Sequence, residues 1–100
     1  MVMAIEISVY PNPFIHYIML EITCDENIDC IISLADISQG KIIRMLGAGL
    51  VIGTNRIPFE NLESHSAGNY QLEITTSSGE AIYRTRLFKQ SEEGPFVHLN

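Results

Sequence analysis

Around the tetrapeptide SSGE at 77–80 the chain alternates apolar and polar side chains, and this period of two constrains the fold more than any other feature. Tyr70, Leu72 and Ile74 alternate with Gln71, Glu73 and Thr75 before the turn; Tyr83 and Leu87 alternate with Arg84 and Arg86 after it. Successive side chains of an extended backbone point to opposite faces, so the pattern specifies a hairpin with one dry face and one wet face. A helix, with its period of 3.6, would scatter the same residues around its axis.

The same reading extends along the chain. IEISVY at 5–10 reads as a first strand, ended by Pro11 and Pro13, which cannot donate ladder hydrogen bonds. In HYIMLEITC at 16–24, Ile18, Leu20, Ile22 and Cys24 fall on one face and are expected in the core. An acidic turn at 25–29 leads to CIISLADI, with Cys30, Ile32 and Leu34 on one side, then to a hairpin turn around Gly40 and the partner strand KIIRML. The stretch 47–59 is glycine-interrupted and is expected to form two short strands with a kink, with Pro58 confining its end to a sheet edge. NLESHSAG at 61–68 reads as a polar connection. About seven strands with regularly spaced turns predict an all-β, immunoglobulin- or fibronectin-III-like antiparallel sandwich, with residues 1–90 as a single domain and 91–100 as a C-terminal tail. A closed barrel is the alternative.

Composition excludes several partners. The chain has 12 acidic and 6 basic residues and a formal net charge of -6, so phosphate backbones and anionic lipid surfaces are repelled. Nucleic acid is not an expected partner. The longest nearly apolar stretch, IIRMLGAGLVIG at 42–53, carries Arg44 and is too short to span a bilayer as a helix. The N-terminal MVMAIEISV has neither a basic n-region nor a small-residue cleavage site. The expectation is a protein that stays inside or a piece of a longer exported chain.

Residues that could carry chemistry read more simply as structure. GAGLVIG resembles a phosphate-binding glycine loop, but such a loop opens a helix, and TNRIPF cannot start one. His16, His65 and His98 are far apart, and the SHS at 64–66 lacks a base and an orienting group from separate segments. Asp25, Glu26 and Asp29 offer oxygens to a calcium ion without the EF-hand pattern, and read as a solvated turn. No cofactor, metal or catalytic residue is assigned. Cys24 and Cys30 flank the turn DENID. They either pair in an oxidising compartment, adding about 2 kcal/mol by loop closure, or stand as two unpaired, largely buried thiols.

A set of short motifs points to a family. VYPNPF at 9–14, LADISQGKII at 34–43, GTNRIPFENL at 53–62, SAGNYQLEITTSSGE at 66–80 and RLFK at 86–89 occur in an order and spacing that resembles the C-terminal sorting domain of the type IX (Por) secretion system of Bacteroidetes. FlgD-like domains share the YPNPF opening. The resemblance covers about residues 8–89 and places the motif on Pro11, Asn12, Pro13, Asp36, Gly40, Lys41, Gly53, Asn55, Gly68, Tyr70 and Lys89. It implies an immunoglobulin-like module at the end of large exported proteins, recognised by the outer-membrane translocon, secreted or held at the cell surface, with no catalytic residues. Such domains normally end soon after the last strand and follow a cargo domain; here ten residues follow Gln90. The physical reading agrees with these roles: the prolines stiffen the opening, Gly40 and Gly68 permit tight turns, and Tyr70 and Tyr83 fill the core with hydroxyls at its rim.

The leading expectation is therefore a non-catalytic sorting or surface-attachment module. The alternative is a small adhesive or scaffold sandwich that contacts protein, including a second copy of itself, through a sheet edge or the patch around Leu50, Val51 and Ile52.

Overall fold

Alternation at 18–24 becomes a strand whose Ile18, Leu20, Ile22 and Cys24 are all buried, while Met19, Glu21 and Thr23 face outward. The computed structural model describes residues 4–91, and every regular element in that range is a strand: β1 (Ile5–Tyr10), β2 (Ile18–Cys24), β3 (Ile28–Asp36), β4 (Lys41–Leu50), β5 (Gly53–Phe59), β6 (Gly68–Thr76) and β7 (Ala81–Lys89). They form two antiparallel sheets, β1-β2-β5 and β4-β3-β6-β7. The predicted immunoglobulin-like sandwich is the observed fold. The part of the tail at 92–100, with His98, lies outside the described residues.

Between the sheets sits one apolar layer. Ile18, Leu20 and Ile22 of the first sheet face Ile32, Leu34, Leu72 and Ile74 of the second, all fully buried. Burying such side chains contributes roughly 1.5–3 kcal/mol each. The hairpin around SSGE forms as read, with Leu72 opposite Thr85 and Glu73 opposite Arg84, which close a salt bridge at 2.6 Å on the wet face. One ladder shift, between Ile74 and Thr75, leaves Ile82 and Tyr83 both partly buried.

Two expectations are corrected. Residues 47–59 do not form two short strands with a kink. Gly47–Leu50 continue β4 in register with Ile31–Ile28, Val51 and Ile52 make the turn, and β5 begins at Gly53 in the other sheet. Gly47 and Gly49 are therefore ordinary ladder residues, whereas Gly53, with φ of 105°, holds the crossing conformation. It follows that Leu50 is no part of an exposed patch: paired with Ile28 on the inner face, it is buried, while Val51 and Ile52 are exposed. The connection 61–68 is not wholly polar either. Leu62 is fully buried, drawn in as its amide donates to the His16 carbonyl at 2.8 Å. Pro58 lies in β5, an edge strand, as its missing amide hydrogen requires.

Candidate functional site

Residues 11–14 do more than end β1. β1 pairs with β2 in the first sheet, but four residues later the chain is bonded to the second. The Asn12 Oδ1 accepts the Phe88 amide at 3.0 Å; the Phe14 amide donates to the Phe88 carbonyl at 3.0 Å, and the Gln90 amide to the Phe14 carbonyl at 2.9 Å. The segment is thus a strap from one sheet to the edge of the other. Pro11 and Pro13, both following cis bonds, bracket the asparagine that makes the first contact. Having no amide hydrogens, they leave no donor unsatisfied where the backbone leaves one ladder before joining the next.

Phe14, delivered by this strap, is 1% exposed and packs edge-on against Tyr70, with ring centroids 5.7 Å apart. Tyr70, near the start of β6, is equally buried, and its hydroxyl donates to the Ser66 carbonyl. A tyrosine tied back to the loop four residues upstream is the corner device of immunoglobulin-like sandwiches. Burial pushes the Tyr70 phenol above its ordinary pKa, so the hydroxyl stays protonated and donating at neutral pH. Lys89 closes the same end. Opposite Gly68 in the ladder and bridged to Phe14, it is 2% exposed, with its ammonium reaching the Gln90 carbonyl at 3.5 Å.

Asp36 is the fourth component. Its carboxylate accepts the Ser38 hydroxyl at 2.8 Å and the amides of Ser38 at 3.0 Å and Gln39 at 3.2 Å, and Ser66 is a further side-chain partner. The turn they close needs a left-handed residue, supplied by Gly40 with φ of 67°, before Lys41 opens β4. The Ser38 hydroxyl first, and then the two amides, hold the Asp36 carboxyl below its ordinary range, against the opposing effect of burial. A depressed folded-state pKa means that the unfolded chain binds more protons, so this contribution is present above about pH 4 and lost as pH falls through the folded value. In Asp36→Asn, thermal stability is accordingly expected to fall less steeply than in the parent on acidification, as followed by circular dichroism.

An open groove of about 430 Å³ lies beside this turn, lined by Asp36, Gln39, Lys41, Ile43, Ser64, His65 and Ser66. Several of its polar groups serve the fold: the Ser66 carbonyl takes the Tyr70 hydroxyl, the Asp36 carboxylate takes the turn, and the His65 amide donates to the Leu62 carbonyl. Among the described residues no group of three or more histidine, cysteine or acidic side chains is placed to hold a metal ion.

The structure therefore gathers the motif residues at one end of the sandwich, where β1 and β7 finish and β4 and β6 begin, with the exception of Gly53 and Asn55. Those two sit at the opposite end. The Asn55 side chain accepts the Val51 amide at 3.0 Å and donates to the carbonyls of Val51 at 2.9 Å and Ile22 at 3.1 Å, clamping the β4–β5 crossing onto β2. Asn55→Ala removes these three hydrogen bonds, two of them at the exposed Val51, and is expected to cost about 0.5–1.5 kcal/mol in urea unfolding. Beneath the clamp, Cys24 and Cys30 are buried free thiols; Cys24 donates to the Val51 carbonyl at 3.3 Å, and burial raises the Cys30 pKa. Sequence reasoning missed Phe14 and Leu62 as core residues. The aromatic after Pro13 was a signal for the first; for Leu62, a single apolar residue in a polar run, there was none.

The fold and these contacts define a small β-sandwich module in which Asn12, Asp36, Asn55, Tyr70 and Lys89 bind the chain's own backbone at the ends of the sheets. The chain belongs to the family of secretion system C-terminal sorting domains, whose model matches residues 8–90. No curated protein matches the chain. Among solved structures it is similar to a GH3 β-glucosidase of Bifidobacterium adolescentis, with 16% identity, a TM-score of 0.52, and coverage of 99% of this chain and 18% of that one. A β-glucosidase of Kluyveromyces marxianus is similar at 13% identity and a TM-score of 0.55, over 90% of this chain and 14% of that one. These likenesses concern the fold alone, since the chain spans under a fifth of either enzyme. The family is in general non-catalytic and implies export through the secretion system on a secreted or surface protein. No helix among the described residues is long and apolar enough to cross a membrane.

Proposed function

We propose that this domain is the address by which a larger exported protein is delivered to the type IX translocon and left at the cell surface or released. The end of the sandwich formed by the strap, the Asp36 turn and Lys89 is the part read by translocon proteins. The observation that carries this reading is the convergence of the motif residues on the end from which the chain leaves β7. Recognition there is of folded shape: the Asn12, Asp36, Tyr70 and Lys89 side chains are spent on backbone contacts, which fix the relative position of the chain segments at this end. The domain itself performs no chemistry, and processing or anchoring falls to other proteins.

Fusion of residues 8–90 behind a signal peptide and a reporter is the test. In a type IX-competent cell the reporter is expected at the surface or in the medium, and in a translocon-deficient strain in the periplasm. Retention of the folded fusion in the periplasm of the competent cell rejects the proposal.

A further inference from the structure

The outer face of the β1-β2-β5 sheet is ordered in rows. Residues opposite one another in the ladders share a face, so Tyr10, Met19 and Pro58 form one row and Ser8, Glu21 and Arg56 the next. The first row is apolar, and its tyrosine is open: Tyr10 is 41% exposed. Tyr17, two residues before Met19, is 45% exposed and near enough to Tyr10 for the two phenols to interact electrostatically. The second row is charged and held in place. The Glu21 Oε2 accepts the Tyr10 hydroxyl at 2.9 Å and the Arg56 Nε–H at 2.8 Å. These bonds, the tyrosine's first and the arginine's second, hold the Glu21 carboxyl below its ordinary range, so it is an acceptor at neutral pH. They use one carboxylate oxygen and one guanidinium nitrogen. The Glu21 Oε1 and both terminal nitrogens of Arg56, a mostly exposed side chain, have no partner among the described residues. An aromatic surface therefore borders an acceptor and a donor that are tied to each other and to the tyrosine.

We propose that this face binds a neutral polysaccharide chain whose sugar rings carry equatorial hydroxyls. Such a ring is apolar above and below, where only C–H bonds project, and polar at its rim. The apolar side fits the face of a tyrosine. Neighbouring rim hydroxyls each donate and accept, so one donates to the remaining Glu21 oxygen while the next accepts from Arg56. Charge and donor count decide against other occupants. A proline-rich segment would also lie on tyrosine, but it has no amide hydrogens to give the Glu21 carboxylate. An anionic glycan would meet that carboxylate on a chain of net charge -6, and a basic peptide would meet the Arg56 guanidinium. Length argues for a chain over a single sugar: from Tyr17 to Glu21 the surface extends about 13 Å at the rise of an extended strand, more than one ring. This inference does not rest on the sorting role, and its test is separate from export.

Calorimetric titration of the full chain with cellohexaose, a neutral β-linked glucose chain, is the test, with methyl β-glucoside, hexagalacturonate and decaproline as comparisons. Saturable binding of cellohexaose is expected, about tenfold or more tighter than any of the three. Tyr10→Ala and Arg56→Ala, both at exposed positions and checked for folding by circular dichroism, are each expected to weaken it about tenfold, and Tyr10→Phe, which keeps the ring, by less than about threefold. No saturable binding of cellohexaose up to about 5 mM overturns the proposal. So does binding indifferent to Tyr10→Ala or Arg56→Ala in the folded variants, or a comparison probe that binds as tightly as cellohexaose.

Discussion

Tyr70→Ala is expected to destabilise the domain by about 3–5 kcal/mol, the range for removing a large buried aromatic side chain. The figure has two parts. Tyr70→Phe keeps the ring against Phe14 and removes only the hydroxyl that ties β6 to the carbonyl of the exposed Ser66, for about 0.5–1.5 kcal/mol. The remainder is the cavity left beside Phe14 and Leu87, which a sandwich packed from both sides cannot collapse to fill. Urea unfolding followed by far-ultraviolet circular dichroism measures both variants, the chain having no tryptophan to report by fluorescence. A loss below about 1 kcal/mol for Tyr70→Ala would contradict the place given to this residue.

Phe14→Ala is expected to cost a similar 3–5 kcal/mol. The side chain is the inward anchor of the strap, and without it three hydrogen bonds to β7 and its exit, two between backbones and one to the Asn12 side chain, must hold an otherwise exposed segment. Since a domain of this size is stable by only about 5–15 kcal/mol, either variant removes a large share of the total. The two effects should not add. The edge-on rings contribute about 0.5–1.5 kcal/mol beyond their burial, and a double-mutant cycle should return a coupling of that size. In the export assay, a Phe14→Ala fusion is expected to be secreted less than its residual folded fraction accounts for, because the strap defines the surface proposed to be read.

Strands are legible wherever a single face of a sheet decides the residue type. Ile18, Leu20 and Ile22, or Tyr70, Leu72 and Ile74, alternate cleanly because their strands lie inside a sheet with one side buried. β4 defeats the same reading. The β3–β4 ladder shifts at Ile43, so Ile42 and Arg44 fall on different faces and IIRMLGAGL shows no clean alternation, and its two glycines suggested breaks where the ladder runs on. The motif residues were legible as a set because a turn with left-handed backbone, or a strap without amide hydrogens, admits very few residue types.

What the sequence by itself determined is local: which stretches extend, where they turn, which face of the inner strands is dry, and the family to which the turn residues belong. Only the tertiary structure decided that VYPNPF leaves one sheet for the other, that Leu62 enters the core, that Asn55 clamps a crossing, and that Pro13, Asp36, Tyr70 and Lys89 share one end of the molecule. The physical reason is range. Extension and turning are settled by side-chain sterics over a few residues, whereas the neighbours of Phe14 or Asn55 are fixed by which sheets stack, and that depends on apolar surfaces contributed by segments tens of residues apart.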